Sequence, residues 1–320
     1  MAADSKVDAR GRWLSAPAKV NLSLEVLGQR PDGFHELRTV MLALDIRDEL
    51  RVGLRKAGTG EEPQLTLTGP AVTEDIPRTG NNLALEGIRA AAASCGKDGE
   101  ASAAFSVELV KNLPSGAGLG GGSSDCATAF LGALELLGGD PGGGAGGGAA
   151  RTALAACGSD CAFFGGARSS GVALCEGRGE RVTPWPSANS AWRVVVITPD
   201  VHLSTARVYG ALRGPLSAAG EQHTFPTQGL LASAVEARAH LYNRLEEAAL
   251  VVSPVLAAWR QCLVELGLGH FCLAGSGASF FGLYDEEEEA RADLSKLEQA
   301  AAAADLAVRF SAVTRPFANG

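Results

Sequence analysis

Several features are scarce or missing in this sequence, and each absence narrows the classes of protein to which it can belong. No apolar run reaches the length of a membrane span, and the first residues lack the apolar stretch of a secretory signal. Lys and Arg number 28 against 36 Asp and Glu, so the net charge is -8, and no basic patch or arm stands out. This balance argues against nucleic acid as the main partner. We therefore expect neither a membrane nor a nucleic-acid partner.

The cysteines also lack any obvious pairing. There are 7 of them, an odd number, and none falls in a C-x-x-C pair. This pattern favours thiols in a reducing compartment over a disulfide framework. The spacing of Cys157 and Cys161 fits no standard zinc pattern. We therefore expect a cytoplasmic protein and assign no metal site to its own side chains.

Length and composition are those of an ordinary globular protein, with 46% hydrophobic and 20% charged residues. The length predicts about two domains. Residues 1–12 are polar and are expected to form a disordered lead-in. A turn-rich stretch at residues 184–191 predicts a boundary between an N-terminal domain, residues 13–187, and a C-terminal domain, residues 188–320. Residues 138–149 are a glycine-rich insertion of low complexity.

The most informative stretch is residues 111–130, KNLPSGAGLGGGSSDCATAF. The alternation of Phe105, Val107 and Leu109 before it predicts a half-buried strand, and residues 127–137 after it are rich in helix formers. Glycines between them let backbone N–H groups approach an anion closely, and Ser124 is placed to cap the helix. The sequence therefore predicts a phosphate-binding loop.

Several known types of phosphate loop do not fit. Gly116, Gly118 and Gly121 satisfy G-x-G-x-x-G, but no acidic residue ends a second strand about 20 residues later. No lysine follows the glycines as a Walker loop requires, and the V-A-I-K and D-F-G segments of protein kinases are absent. A second glycine-rich run, residues 141–148, has neither a preceding strand nor a hydroxyl cap, so we interpret it as a low-complexity loop.

The pattern P-x-x-x-G-L-G-G-G-S-S-D, from Pro114 to Asp125, closely resembles the ATP-binding motif of the GHMP kinase superfamily, which includes galactokinase, homoserine kinase and mevalonate kinase. The resemblance implies ATP as co-substrate with Mg²⁺, for which Ser123 or Ser124 is a candidate ligand. It assigns ATP binding to Pro114, Gly116, Gly118, Leu119, Gly120, Gly121, Gly122, Ser123, Ser124 and Asp125.

Other nucleotide contacts follow from the same resemblance. Lys111 matches a family lysine beside the nucleotide, with a solvated strand end as the alternative. Asn82 matches an asparagine that contacts adenosine, although Asn81 or a plain N-cap role is an equal alternative. Residues 274–282, AGSGASFFG, resemble the third motif of the superfamily and predict a tight turn against the phosphate loop. This motif adds Gly275, Ser276 and Gly277 to the ATP site, and the family commonly has Ser where Ala274 stands.

The N-terminal part narrows the resemblance. Residues 13–27, WLSAPAKVNLSLEVL, read as a strand with Lys19 and Asn21 on one face, a pair that is ordinarily solvated. The turn RPDGFH, which opens the segment RPDGFHELRTV, follows. Both segments look like the GHMP branch that phosphorylates the 2-hydroxyl of 4-diphosphocytidyl-2-C-methyl-D-erythritol, a cytidyl-diphosphate sugar alcohol of the non-mevalonate isoprenoid route. The resemblance implies that Phe34, usually Tyr in the family, and His35 hold the cytosine, and that Asn21 contacts the substrate.

The remaining site residues lie further along the chain. Tyr209, in PDVHLSTARVY, would be the second aromatic residue on the cytosine, with core packing as the alternative. Asp160, in GSDCAFF, matches the segment that carries the catalytic aspartate, although an Asp in this position is often only a turn or cap residue. The resemblance pairs Asp160, as base or as the group that orients the hydroxyl, with Lys19, which would stabilise the developing charge.

The resemblance also implies a fold. We expect an α/β (α+β) two-domain GHMP kinase, with a ribosomal-S5-like ATP-binding domain, a ferredoxin-like C-terminal domain and the active site in the cleft between them. Residues 241–246, LYNRLE, are interpreted as a structural helix. A monomer or weak homodimer is expected. The alternatives are another GHMP small-molecule kinase, of homoserine or mevalonate type, and a non-catalytic GHMP-fold nucleotide-binding regulator.

Overall fold

The structure of the chain is a computed structural model that describes residues 9–55, 62–97, 102, 104–139, 147–166, 170–185, 191–213, 225–226 and 233–317. Its contacts group into two compact units. The first comprises residues 1–16, 47–115 and 121–165, and the second comprises residues 17–46, 116–120 and 166–320. Because each unit draws on several stretches of the chain, this grouping does not test the boundary expected at residues 187–188, which stays a prediction.

Two other predicted segments fall largely outside the described residues. Strand β1 (Ala9–Gln29) begins inside the predicted lead-in, whose first eight residues are not described. Most of the glycine-rich insertion is also outside the described part, and a helix begins at its end, at Gly147.

The first unit packs helices against a small sheet. Strand β4 (Phe105–Val110) alternates between buried and partly exposed positions, which confirms the strand predicted before the glycine loop. It pairs antiparallel with the end of β2 (His35–Leu54) and parallel with β3 (Gln64–Thr68). The helices are α1 (Leu83–Ser94), α2 (Gly121–Leu136), α3 (Gly147–Cys157) and α4 (Ser159–Gly166). Helices α3 and α4 are separated at Gly158.

The second unit contains a four-stranded antiparallel sheet in the order β11-β7-β10-β9. Its strands are β7 (Arg193–Pro199), β9 (Cys272–Leu273), β10 (Phe280–Tyr284) and β11 (Val308–Thr314). The helices of this unit are α5 (Thr205–Gly210), α6 (Ala234–Arg238), α7 (Glu246–Val252), α8 (Pro254–Glu265) and α9 (Glu287–Ala303). Trp259, Phe271 and Leu297 join sheet residues in one buried core, which confirms helices packed on an antiparallel sheet.

The remaining strands of the second unit hold the N-terminal motif. Strand β1 pairs parallel with β8 (Tyr242–Asn243), and the start of β2 pairs antiparallel with β5 (Val172–Gly177). Strand β6 (Arg181–Pro184) pairs antiparallel with β5 and completes a hairpin. Because residues 18–26 of β1 are buried on both faces, Lys19 and Asn21 are enclosed rather than solvated. Among the described residues, no helix combines the length and apolar character that a membrane crossing needs.

Helices α1 and α2 are in close contact at Gly87. A Cβ at this position would lie 2.2 Å from the carbonyl oxygen of Cys126, closer than real Cβ contacts allow. We expect Gly87→Ala to lower the free energy of unfolding by about 1 to 3 kcal/mol, because overpacking outweighs the gain of about 0.5 to 1 kcal/mol that alanine brings to a helix interior. Urea titration followed by circular dichroism measures this change.

The matched control is Gly269→Ala, because no atom lies within 4 Å of the added Cβ at that position. This variant should differ from the parent protein by less than about 0.5 kcal/mol. Equal stability of the two variants would contradict the close approach of the helices.

Candidate active site

Two glycine loops lie against each other in the second unit. Gly118 has a positive φ of 79°. A Cβ on it would lie 2.1 Å from the carbonyl oxygen of Ala274, so only glycine fits there. The N–H of Ser279 donates to the carbonyl of Ala117 over 3.0 Å. The prediction that the turn at residues 274–277 lies against the phosphate loop is therefore confirmed.

Lys19 joins strand β1 to both loops. Its backbone N–H donates to the carbonyl of Leu119 over 2.9 Å, and its Nζ donates to Oδ1 of Asn21, also over 2.9 Å. A Cβ on Gly275 would lie 3.2 Å from Lys19 Nζ and 3.6 Å from Asn21 Oδ1. A lysine with 4% of its surface exposed is thus held where two loop backbones converge. The structure brings Lys19, Asn21, Gly118 and Gly275 together, as the motifs imply.

Thr39 is a site residue to which the sequence analysis gave no role. Asn21 Nδ2 donates to Thr39 Oγ1 over 2.8 Å, and Thr39 Oγ1 donates to the carbonyl of Ser23 over 2.6 Å. These bonds orient the Asn21 amide, so that its oxygen faces Lys19. Thr39 follows the RPDGFH turn by four residues, but only the pairing of β1 with β2 brings its side chain to the Asn21 amide.

Asn243 supports the second loop and corrects one prediction. Its Nδ2 donates to the carbonyls of Leu273 and Gly275, each over 2.7 Å, and its Oδ1 accepts from the N–H of Leu245 over 2.9 Å. Residues 241–246 were expected to be helical, but Asn243 lies in strand β8 and helix α7 begins only at Glu246. The strand pairing with β1 overrides the local helical tendency.

The three predicted base-binding residues belong to the second unit. The rings of His35 and Tyr209 are stacked, with centroids 4.7 Å apart and planes at 26°. At this distance they touch, so no base lies between these two rings in this arrangement. Tyr209 also packs against the core of the unit, as its alternative interpretation holds. Phe34 is 51% exposed on the turn between β1 and β2. Their contact with cytosine stays a prediction.

Lys111 lies in the first unit within a buried group of charges. Its Nζ donates to Asp48 and, over 2.7 Å, to Oδ2 of Asp125. Asp48, which is fully buried, also accepts from the N–H groups of Asn112 over 2.6 Å and Leu113 over 2.8 Å. Lys111 is therefore not a solvated strand end, and its contact with nucleotide stays a prediction. Sequence reasoning missed Asp48, because nothing in its local pattern points to Lys111.

These charges influence one another's protonation. Burial, aided by the repulsion of Asp48, raises the pKa of Asp125 to about 7 despite the attraction of Lys111. Burial alone would lower the pKa of Lys111, but the two carboxylates raise it above its usual value. One ammonium thus faces two carboxylates, and near neutral pH the group takes up a proton at Asp125.

The helix after the glycine loop begins earlier than expected. Helix α2 starts at Gly121, so Ser124 lies within its first turns and does not cap it, which corrects the predicted cap. The hydroxyl of Ser124 and Oδ1 of Asp125 are buried, and neither has a hydrogen-bond partner among the described residues. In the rest of the loop, Pro114 is buried, Gly116 is exposed, and Gly120, Gly122 and Ser123 are partly exposed.

Three further predicted residues have local roles. Asn82 is the N-cap of α1: its Oδ1 accepts from the N–H of Ala84 over 2.9 Å. Ser276 shares a 2.9 Å hydrogen bond with the hydroxyl of Thr205. Asp160 lies partly buried in the first turn of α4, ahead of two buried phenylalanines. Because Asp160 belongs to the first unit and Lys19 to the second, their pairing stays a prediction.

Comparison with known protein families agrees with this geometry. Residues 82–142 match the model of the GHMP kinases N terminal domain, and residues 227–303 match that of the GHMP kinases C terminal domain. The first match contains the glycine loop at residues 116–120, and the second contains the loop at residues 274–277. The protein is a GHMP kinase, which confirms the predicted fold and the predicted class of small-molecule kinase.

Comparison with individual proteins identifies the branch of the GHMP kinases to which the chain belongs. A 4-diphosphocytidyl-2-C-methyl-D-erythritol kinase of Geobacter sp. strain M21 is 34% identical over 287 residues, 89% of this chain and 94% of the relative. One of Paramagnetospirillum magneticum is 36% identical over 295 residues, 89% of this chain and 93% of the relative. A solved 4-(cytidine 5'-diphospho)-2C-methyl-D-erythritol kinase is 29% identical with a TM-score of 0.65, covering 96% of this chain and all of that chain. The chain belongs to the 4-diphosphocytidyl-2-C-methyl-D-erythritol kinase family.

The raised pKa of Asp125 predicts a pH dependence of stability. The folded protein holds a proton at Asp125 that the unfolded chain releases near pH 4, so this stabilisation is lost as the pH rises through about 7. We expect Asp125→Asn, which stays neutral, to gain on the order of 2 kcal/mol relative to the parent protein between pH 5 and pH 8. Urea titrations at both pH values measure the difference.

The matched control is Asp305→Asn, the same change at an exposed position with a φ of 55°, which asparagine also adopts. Its stability should follow that of the parent protein across the pH range. Parallel curves for Asp125→Asn and the parent protein would contradict the proton at Asp125.

Proposed function

We propose that this chain transfers the γ-phosphoryl group of ATP to the 2-hydroxyl of 4-diphosphocytidyl-2-C-methyl-D-erythritol. The products are the 2-phosphate and ADP, in the non-mevalonate route to isoprenoids. The observation that carries the proposal is the convergence of Lys19 and Asn21 with the backbones of Gly118 and Gly275. A buried cation among loop backbones suits a phosphoryl group that spreads negative charge over its oxygens.

The fold alone does not select the substrate. A homoserine kinase from Cytophaga hutchinsonii has a TM-score of 0.69 at 18% identity, covering 99% of this chain and 97% of that chain. This value exceeds the 0.65 of the solved cytidyl kinase. The substrate proposal therefore rests on identity with the cytidyl kinases along most of the chain, and on Phe34, His35 and Tyr209. Homoserine and mevalonate offer no base for these rings to stack on.

Within the site, the chain's own groups position the reactants. The N–H groups of the loop at residues 116–120 would bind the ATP phosphates, and Lys19 would neutralise charge on the transferred group. Asn21, oriented by Thr39, would donate to or accept from the substrate hydroxyls. Asp160 would accept the proton of the 2-hydroxyl, or orient that hydroxyl for in-line attack. Its place in the first turn of α4 favours a negative charge.

Mg²⁺ is proposed to accompany ATP. Hydroxyl and carboxylate oxygens are ligands that Mg²⁺ accepts, and two such atoms, Ser124 Oγ and Asp125 Oδ1, lie buried without a hydrogen-bond partner among the described residues. The residues present therefore fit the ion, and Ser123 or Ser124 would hold it. When bound, it would neutralise charge on the phosphates.

We also propose a cytoplasmic location and a monomer or weak homodimer that acts without nucleic acid. No disulfide joins any of the cysteines, all of which fall within the described residues. Buried thiols such as those of Cys126 and Cys272 suit a reducing compartment.

The proposal is tested by measuring ADP release with Mg-ATP and each of three alcohols: the cytidyl-methylerythritol substrate, homoserine and mevalonate. We expect turnover with the cytidyl substrate alone. Asp160→Asn should lower kcat by about 10² to 10⁴, the usual contribution of a general base, while Asp305→Asn should retain the parent activity.

Turnover with another alcohol and none with the cytidyl substrate would overturn the substrate assignment and leave the kinase class. ATP binding without turnover of any alcohol would favour a regulator. Full activity of Asp160→Asn would remove Asp160 from the reaction.

The hydrogen bond from Asn21 to Thr39 predicts a second effect. Thr39→Val keeps the shape of the side chain but leaves the Asn21 amide without its partner, at a cost of about 1 to 2 kcal/mol. We expect kcat/KM for the cytidyl substrate to fall about 5- to 30-fold, because a misdirected Asn21 no longer orients Lys19 and the substrate. Steady-state kinetics of this variant are compared with those of Thr66→Val, an exposed position on β3. Equal kinetics of the two variants would show that Thr39 does not position Asn21.

A further inference from the structure

Arg178 lies at the tip of the β5–β6 hairpin, beside the turn that carries Phe34. Strand β2 begins one residue after Phe34, and its residue Leu37 pairs with Gly177 at the end of β5. This register places the turn before β2 beside the turn that follows β5. The guanidinium carbon of Arg178 lies 4.9 Å from the centroid of the Phe34 ring, within the range of a cation–π interaction.

Both partners are held by their own turns. Gly177 and Gly179 have positive φ values of 75° and 112°, and the N–H of Arg178 donates to Glu180 over 2.5 Å. On the other side, the N–H of Phe34 donates to Oδ1 of Asp32 over 3.1 Å. The hairpin tip and the Phe34 turn thus present the guanidinium and the ring in a defined arrangement.

Ion pairs join the same two segments. Glu36 accepts from Arg30 and from Arg181, each over 2.7 Å, so it connects the Phe34 turn to strand β6. Asp32, bonded to Arg30 over 3.2 Å, also feels the positive charge of Arg178. The charges around the ring therefore include both signs, and Arg178 is the cation that stacks on it.

This contact leaves Phe34 with two different faces. One face carries the guanidinium, yet the residue is still 51% exposed. The Phe34 ring is thus in contact on one face and open to solvent elsewhere. An exposed aromatic face of this kind can stack against another planar group, such as a base.

We propose that Arg178 is a specificity-determining residue for the cytidyl substrate: it stacks on one face of Phe34 and holds the ring so that its other face receives the cytosine. The inference rests on the proposed function and adds to it a residue that none of the motifs assigns. Arg178 acts through Phe34 and contributes to base binding rather than to the chemical step.

A double-mutant cycle tests this inference. Arg178→Ala, Phe34→Ala and the double variant are compared by steady-state kinetics with the cytidyl substrate and by calorimetric titration with cytidine and with CDP. We expect Arg178→Ala to raise the KM for the cytidyl substrate about 3- to 5-fold and to change the KM for ATP less than about twofold. It should lower the binding affinities for cytidine and for CDP by the same factor. In the Phe34→Ala background the same substitution should have no further effect. Arg178→Lys, which keeps the cation, should recover part of the affinity.

The matched control is Arg51→Ala. Arg51 covers the exposed ring of Trp13 at 5.0 Å, so this variant removes a cation–π contact of the same kind in the first unit. Its KM for the cytidyl substrate should equal that of the parent protein.

Three outcomes would overturn the inference. Arg178→Ala could lower the affinity for CDP more than the affinity for cytidine, and do so in the Phe34→Ala background as well. That result would mean that Arg178 binds the diphosphate instead. An unchanged KM in Arg178→Ala, with normal turnover in the parent protein, would refute the role of Arg178 and leave the proposed function intact. A parent protein that neither binds cytidine nor turns over the cytidyl substrate would overturn both.

Discussion

The close contact between two glycine loops is the constraint on which the rest of the site depends. The carbonyl of Ala274 lies where a side chain on Gly118 would be, so both loops come within reach of one buried lysine. Lys19 then connects them through its backbone N–H to Leu119 and through its ammonium beside Gly275. Because the ligands of a phosphate here would be backbone groups and one cation, the arrangement supplies charge without flexible side chains. Two further residues hold this arrangement in place. The side-chain amide of Asn243 donates to the backbone of the second loop, and Thr39 accepts from the Asn21 amide, so each bond fixes the orientation of the amide that makes it.

The two buried lysines, Lys19 and Lys111, have different hydrogen-bond partners. Lys19 donates to the neutral amide of Asn21 and lies beside the backbone of Gly275. Lys111 is bound by the carboxylates of Asp48 and Asp125, which satisfy it within the protein. A buried ammonium surrounded by two carboxylates acts mainly on the structure around it. It holds the segment that leads into the phosphate loop, since Asp48 also binds the N–H groups of Asn112 and Leu113.

The residues that form the fold differ from those that we propose to select the substrate. The overall fold matches a homoserine kinase as well as it matches a cytidyl kinase, so the fold positions ATP chemistry without choosing the alcohol. We propose that the choice lies in a few residues on turns, above all Phe34, whose ring is exposed and has the Arg178 guanidinium over it. Residues of this kind are the least constrained by the core. A change there, such as phenylalanine for tyrosine, alters how the ring is anchored and leaves the fold unchanged.

The sequence by itself determined the local features: the alternating strand β4, the glycine loop, the N-cap at Asn82, and the motifs that define the family. Each of these depends on residues close together in the chain, where periodicity and turn chemistry act. Only the tertiary structure decided that Asp48 binds Lys111, 63 residues away, that Asn243 lies in a strand supporting the Gly275 loop, and that Arg178 covers Phe34. It also showed that α2 begins at Gly121. The Ser124 hydroxyl is therefore buried within the helix and does not cap it. These contacts escape local reasoning because strand register and helix packing create them, and both are fixed only when distant segments meet.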